Sequence, residues 1–399
     1  MVELHTGSAV RSWLLDHVCP YWASRIVDSD GGFFESLDAQ GHPVFSQTRK
    51  VLSQARLTYV FSHAAVLGAD SKMREAADHG FDWLQRASTA SIATLDNGAM
   101  GPNGSLQGWH RSTSARDEII DATRDTYDQA FVIFAMAWYH RASGSAQALD
   151  LAEQCYRFLE THVADRAHGG FFEEFPQTGK LPRRQNPHMH LLEATLAMHQ
   201  ATGNSVWIER ASSLVALFTD IFIDQGTGAL AEYFDMAWNR AEGVPGTLRE
   251  PGHQFEWVWL LGQFMRQSGR RDLEGHAQRL FAFGTQHGLD KSGPFKGVAF
   301  DVLDNHGRVV ADTKLVWPQT EYIKACIARF EATGDGSYRQ QAFAHLNRLR
   351  QHFFFEDGAN WVNHVTRNGE SLVQQTPARV LYHVFLACAE LIRLEECNA

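Results

Sequence analysis

Three of the chain's 20 histidines stand in matching surroundings. His190 lies in NPHMHLLEA, His253 in EPGHQFEW and His383 in TPARVLYHVF, each shortly after a proline at the head of an apolar run. WPQTEY places Glu321 in the same way, and Glu256 follows one turn after His253. Arg56 in SQARLTYVFS and Tyr127 in DTYDQAFVIF open two further apolar runs. Imidazole exchanges protons near neutrality, with a reference pKa of about 6.5. Two such groups facing a sugar can remove the proton beside an aldehyde and return it at another carbon. Arg56 would stabilise the developing enediolate oxygen, and Glu256 would orient His253. That set describes an aldose–ketose isomerase or a sugar 2-epimerase.

Two other readings use the same residues. Glu256 and Glu321 would form the carboxyl pair of a glycoside hydrolase, an inverting one included, leaving the histidines only sugar-binding. A non-enzymatic sugar sensor would leave three acid–base groups without a task. Neither isomerisation nor epimerisation needs a cofactor, and no Walker loop or GxGxxG motif opening a βαβ unit is present. No metal is expected: His188 and His190 lie about 200° apart around a helix and cannot chelate one ion together. His188 is expected to be an ordinary structural group. Asn186, His190 and Glu193 are spaced to share a helix face, as are Trp317 and Glu321.

These residues need elements that bring them together. Six segments resemble one another: DGGFFESLDAQGHP from Asp30, NGAMGPNGSL from Asn97, HGGFFEEFPQTGK from His168, TGALAEYFDMAWN from Thr227, KGVAFDVLDNHGR from Lys296 and GANWVNHVTRNGE from Gly358. Each reads as a short hairpin or extended loop. Between them lie pairs of helical patterns, one apolar nearly all round (FVIFAMAWY, FEWVWLLGQF) and one amphipathic (LEGHAQRLFAF). With a first helix near Val10–Val27 and a last near Pro377–Leu394 the count is twelve. Buried helices inside amphipathic ones predict an all-α fold, an (α/α)6 barrel with short β-hairpins at one end, rather than an open solenoid. Inner helices that run the same way would gather residues from Arg56 to His383 at one mouth. The prolines suit first helical positions, and Asn186 and Thr376 suit N-caps.

Composition sets bounds. The 399 residues are 44% hydrophobic and 21% charged, a globular balance, and are expected to form one catalytic domain, 1–399. A net charge of -10 without a basic run argues against nucleic acid, and no stretch is long and apolar enough for a membrane span. The start lacks a signal-peptide pattern, and five scattered cysteines read as reduced thiols, so a cytoplasmic protein is expected. The outer helices offer surface for a homodimer.

RQNPHMHLLEA, GHQFEW and YHVFLACAEL, in that order after QARLTYVFS, resemble the N-acylglucosamine 2-epimerase superfamily over nearly the whole chain. The resemblance implies an (α/α)6 barrel acting on a monosaccharide or related sugar. It implies His383 as the main base, moving a proton between C2 and C1 through a cis-enediol. It makes His253 the second acid–base group with Glu256 in support. His190 and Asn186 would hold substrate oxygens, Arg56 would bind the reacting end, and Tyr127, Met189, Trp317 and Glu321 would line the pocket. NPHMHLLEA is most similar to the mannose isomerase branch, which interconverts mannose and fructose. The superfamily also holds N-acylglucosamine and cellobiose 2-epimerases and sulfoquinovose isomerases. A sulfonate would want extra cations such as Arg183 and Arg184, which are expected to be solvent-facing loop charges.

Overall fold

The computed structural model describes residues 2–93, 108–179 and 182–396. The segment expected from Asn97 to Leu106, Lys180 at the end of the third segment, and Cys397 lie outside the described residues. Among the described residues twelve helical runs follow one another. They are α1 (residues 7–26, π-wound over Trp13–Val18), α2 (Val51–Val66), α3 (Ser71–Ala93), α4 (Thr126–Ser143), α5 (Ala146–Phe158) and α6 (Asn186–Thr202). Then come α7 (Ser205–Leu217), α8 (Pro251–Ser268), α9 (Glu274–His287), α10 (Val316–Thr333), α11 (Gly336–Phe353) and α12 (Leu381–Glu396). A single extra turn covers Val244–Thr247.

The chain forms two compact units. In the unit of Trp22–Leu37 and Pro43–Leu217, α2, α4 and α6 pack side by side, and α3, α5 and α7 each back onto one of them. In the unit of Met1–Tyr21, Asp38–His42 and Phe218–Ala399, α8, α10 and α12 pack in series, with α9 and α11 behind α8 and α10. The two helix types read from sequence are borne out. The central helices are buried over long continuous stretches, Ser53–Ala64 in α2 and Pro318–Arg329 in α10. The backing helices bury one stripe; in α5 it is Ala148, Leu151, Ala152, Cys155, Tyr156 and Phe158. Gly144 and Gly203, with φ of 75° and 67°, end α4 and α6 in the left-handed region and turn the chain at once into its backing helix.

Among the described residues a repeated amide clamp ties four of the hairpin segments to the central helix that follows. The Gln54 amide accepts from Phe33 N–H at 2.7 Å and donates to Phe33 O at 2.9 Å. Gln129 does the same with Trp109, Gln254 with Leu230 and Gln319 with Ala299. On α6 the place is taken by His188, whose Nε2 accepts from Phe171 N–H at 2.9 Å while Nδ1 faces Arg184 O. Burial, helped by the Arg183 charge, pushes His188 down to about 3, so it stays neutral as a structural group. Beneath the hairpins runs a second repeated contact, a carboxylate on a buried cation: Asp28 on Arg49, Asp165 on Arg183 at 2.6 Å and Asp290 on Lys314 at 3.2 Å.

The structure corrects the expectations for four residues. Arg183 is not a solvent-facing charge; it is fully buried against Asp165. Arg184 is half-buried and paired with Glu173 at 2.7 Å. Asn186 is the first helical residue rather than the cap, and Thr376 lies in the strand Gln375–Pro377, its hydroxyl donating to Trp361 O. The physical reason is that carboxylates from the hairpins already cap several central helices. Glu35, Glu173, Glu232 and Asp301 accept the N–H of Lys50, Arg184, Glu250 and Leu315, just ahead of α2, α6, α8 and α10. Among the described residues no helix is long and apolar enough to cross a membrane, and Cys19, Cys155, Cys326 and Cys388 are buried free thiols.

Candidate active site

In the unit of α8, α10 and α12, five of the expected residues converge. Each sits in the first two turns of its helix: His253 and Glu256 on α8, Trp317 and Glu321 on α10, His383 on α12. The half-buried Trp317 indole carries both imidazoles, with ring centroids 4.9 Å from His253 and 5.8 Å from His383. Gly252 makes room for it: a Cβ at that position would lie 2.3 Å from the Trp317 ring.

Both imidazoles are anchored through Nδ1. His383 meets Glu321 at 2.8 Å, and His253 meets Glu232 at 2.9 Å with Glu250 at 3.5 Å. A carboxylate on Nδ1 fixes the ring and leaves Nε2 to exchange protons with a ligand. The electrostatics of the two rings differ. Burial alone would lower His253, but the charges of Glu232 and Glu250 outweigh it and push the group up to about 10. His253 is therefore an imidazolium at neutral pH, a proton donor. Glu321 instead shares its charge with the buried ammonium of Lys324, at 2.6 Å.

Glu256 supports His253 by charge, as one of the carboxylates that raise it, rather than as the partner of Nδ1. Nδ1 of His253 turns to Glu232 in the hairpin, and the Glu256 carboxylate lies 4.0 Å from Lys324 Nζ. Side chains in a helix lean toward its N-terminus, so a ring on the first turn reaches the hairpin carboxylate more readily than a residue one turn later. Ligand atoms of Glu256, Glu321 and His383 lie within 4.8 Å of one another, a spacing a metal could use. The chain supplies its own cation there, Lys324, so the donor set does not call for an ion.

The other unit holds a second cluster. Arg56 Nη2 donates to Tyr127 Oη at 2.7 Å, and its guanidinium lies 4.0 Å from the Phe131 ring. Phe131 and Tyr127 in turn contact His190, at 4.5 Å and 4.9 Å. His190 Nδ1 pairs with Glu193 at 3.1 Å, one turn along α6. Arg56, Tyr127 and His190 are thus brought together; Asn186 is half-buried at the start of α6, and Met189 is fully buried.

Glu232 and Lys324 escape a reading of motifs. The signal for Glu232 was present: superposing GGFFES, GGFFEE, GALAEY and GVAFDV puts Glu35, Glu173, Glu232 and Asp301 at one repeat position. Lys324 gives no such signal, because a lysine in a helix ordinarily faces water.

The chain matches the family model described as N-acylglucosamine 2-epimerase over residues 32–387. It is 32% identical to the mannose-6-phosphate isomerase of Rhizobium meliloti (strain 1021), covering 99% of this chain and 98% of that protein. Among solved structures it is similar to a D-mannose isomerase, with a TM-score of 0.84 at 22% identity over 98% of this chain and 99% of the other. It is also similar to the cellobiose 2-epimerase of Spirochaeta thermophila DSM 6192, with a TM-score of 0.83 at 22% identity over 98% and 97%. These likenesses carry the fold, the (α/α)6 barrel predicted from the repeats.

Proposed function

The chain belongs to the N-acylglucosamine 2-epimerase family, and we propose that it is an isomerase interconverting an aldose and its 2-ketose, mannose and fructose first. His383 takes the C2 proton of the open-chain aldose through Nε2, and the electron pair left behind forms the C1–C2 double bond of a cis-enediol. Proton delivery to C1 gives the ketose; return to C2 from the opposite face would give the epimer. His253, a cation at neutral pH, donates protons, to the ring oxygen during opening or to the developing oxyanion. Glu256 stays assigned to the reaction beside Lys324. Trp317 and Glu321 line the site and hold the two rings. Arg56, Tyr127, Asn186, Met189 and His190 are assigned to substrate binding.

The observation that carries this reading is the pair of Nδ1-anchored imidazoles on one indole, one held cationic by two carboxylates and the other beside a carboxylate that a lysine shares. A hydrolase would want its carboxyl pair free for the glycosidic bond, whereas Glu321 is committed to His383 and Lys324. A sulfonate substrate loses the cations the sequence offered it, since Arg183 and Arg184 are spent on Asp165 and Glu173. A second reading, a 6-phosphorylated hexose, is favoured by the name of the Rhizobium relative. Buried free thiols support a reducing compartment, the cytoplasm.

The test is a proton NMR time course in D2O with mannose, mannose 6-phosphate, glucose, N-acetylglucosamine and cellobiose in turn. Deuterium at C1 of a product ketose supports the isomerase; deuterium at C2 with inversion supports the epimerase. Release of monosaccharide from cellobiose, or no exchange with any sugar, overturns the reading.

A further inference from the structure

Lys324 is fully buried in the middle of α10. Lysine is almost never found there unless it is paired. Its ammonium lies 2.6 Å from Glu321 Oε2, one turn back on the same helix, and 4.0 Å from Glu256 Oε1 on α8. It also stands 4.2 Å from the centroid of the Trp259 ring, whose indole N–H donates to Glu390 on α12 at 2.8 Å. Glu390 is in turn neutralised by Arg393 at 2.8 Å. The charged groups at this spot within the unit include Glu256 from α8, Glu321 from α10, and His383 and Glu390 with Arg393 from α12, with Arg266 of α8 adding its charge at Glu390. The cationic His253, with Glu232 and Glu250, lies against the other contact of Trp317.

We propose that Lys324 is a positioning residue for the base: it holds Glu321 between an ammonium and an imidazole, and so keeps His383 in its neutral, proton-accepting form. The assignment rests on the isomerase reading. The argument is one of charge. Glu256 and Glu321 bring two negative charges near His383, and Lys324 removes one. Without the ammonium, two buried carboxylates stand beside one imidazole, and like charges in a site of low dielectric recruit the nearest proton. The proton taken up by His383 would occupy the lone pair that must accept the C2 proton. The same ammonium keeps Oε2 of Glu321 turned away from the ring, so that Oε1 alone meets Nδ1.

The experiment compares pH profiles of kcat/KM for the wild-type protein, Lys324→Met and Lys324→Arg, on the sugar that exchanges in D2O. Lys324→Met is expected to move the acid limb up by one pH unit or more, a tenfold loss on that limb, with rate regained at alkaline pH and KM changed little. Lys324→Arg, which keeps the charge, is expected to hold the wild-type limb. In 15N-histidine protein at neutral pH, the His383 ring should read neutral in the wild type and imidazolium in Lys324→Met. Should Lys324→Met fail to fold, Lys324→Gln, which keeps a donor but no charge, is expected to give the same shift. An unshifted limb with rate lost equally at every pH overturns the role and makes Lys324 merely structural. A wild-type protein that exchanges no sugar sinks the isomerase reading instead, so the two failures are distinguishable.

Discussion

The carboxylate of Glu232 meets Nδ1 of His253 at 2.9 Å across 21 residues of chain. It also accepts the N–H of Glu250 at 3.1 Å, just ahead of α8. One hairpin residue therefore caps the helix and sets the charge of the ring that the helix presents.

Glu232→Gln tests that charge. Glutamine keeps an acceptor for the Glu250 N–H but removes the first of the attractions that hold His253 up to about 10. Burial then pulls the group down, so the imidazolium is lost at lower pH. If His253 acts as the acid, the alkaline limb of kcat/KM moves down by at least one pH unit, while the acid limb stays in place. A pH–rate profile that overlays the wild type would separate Glu232 from the chemistry.

His383→Ala removes the assigned base. The expected loss is about 10²–10⁴-fold in kcat, the range of a positioned general base. Circular dichroism and thermal melting should show an intact fold. Turnover near the wild-type value would take the base role away from His383.

His188 is expected to behave as a clamp and not as a catalyst. His188→Gln places on α6 the amide that α2, α4, α8 and α10 use, and should keep activity. His188→Ala leaves the Phe171 N–H without its acceptor, at a cost of about 1–3 kcal/mol. The pH dependence follows from the depressed value of about 3 in the fold. An unfolded histidine takes up a proton below about 6.5, so the wild type loses stability as pH falls from there toward 3. The glutamine variant lacks that loss, and its melting temperature should fall less between pH 6 and pH 4. Inactive but well-folded His188→Gln would instead place His188 among the reacting groups.

Much of this was legible in the sequence because two periodicities, with Pro187 and Pro251 at the heads of α6 and α8, mark where helices begin, whereas Pro318 is the third residue of α10 and Pro377 lies in a strand ahead of α12. His253, Glu321 and His383 are found at those beginnings, within reach of one another around Trp317. What spacing could not decide was pairing. His190 and Glu193, three apart, do pair, while His253 and Glu256 at the same spacing do not, because a hairpin carboxylate competes for the earlier ring. Arg183 was misread for a related reason: its buried partner Asp165 lies 18 residues upstream, where no local pattern announces it. Lys324 was passed over because its carboxylate neighbours come from two helices.

The glutamine clamps have a consequence for how such a protein diversifies. Four of the loops are buttoned to the helix directly following them through two bonds to the backbone of one residue, beside the carboxylates they send to the helix heads. Residues at the loop tips, outside both the clamp and the short strands that pair one hairpin with another, can lengthen, shorten or change composition while those bonds are kept. Substrate preference can then drift at the edge of the molecule while the histidines beneath it stay where they are.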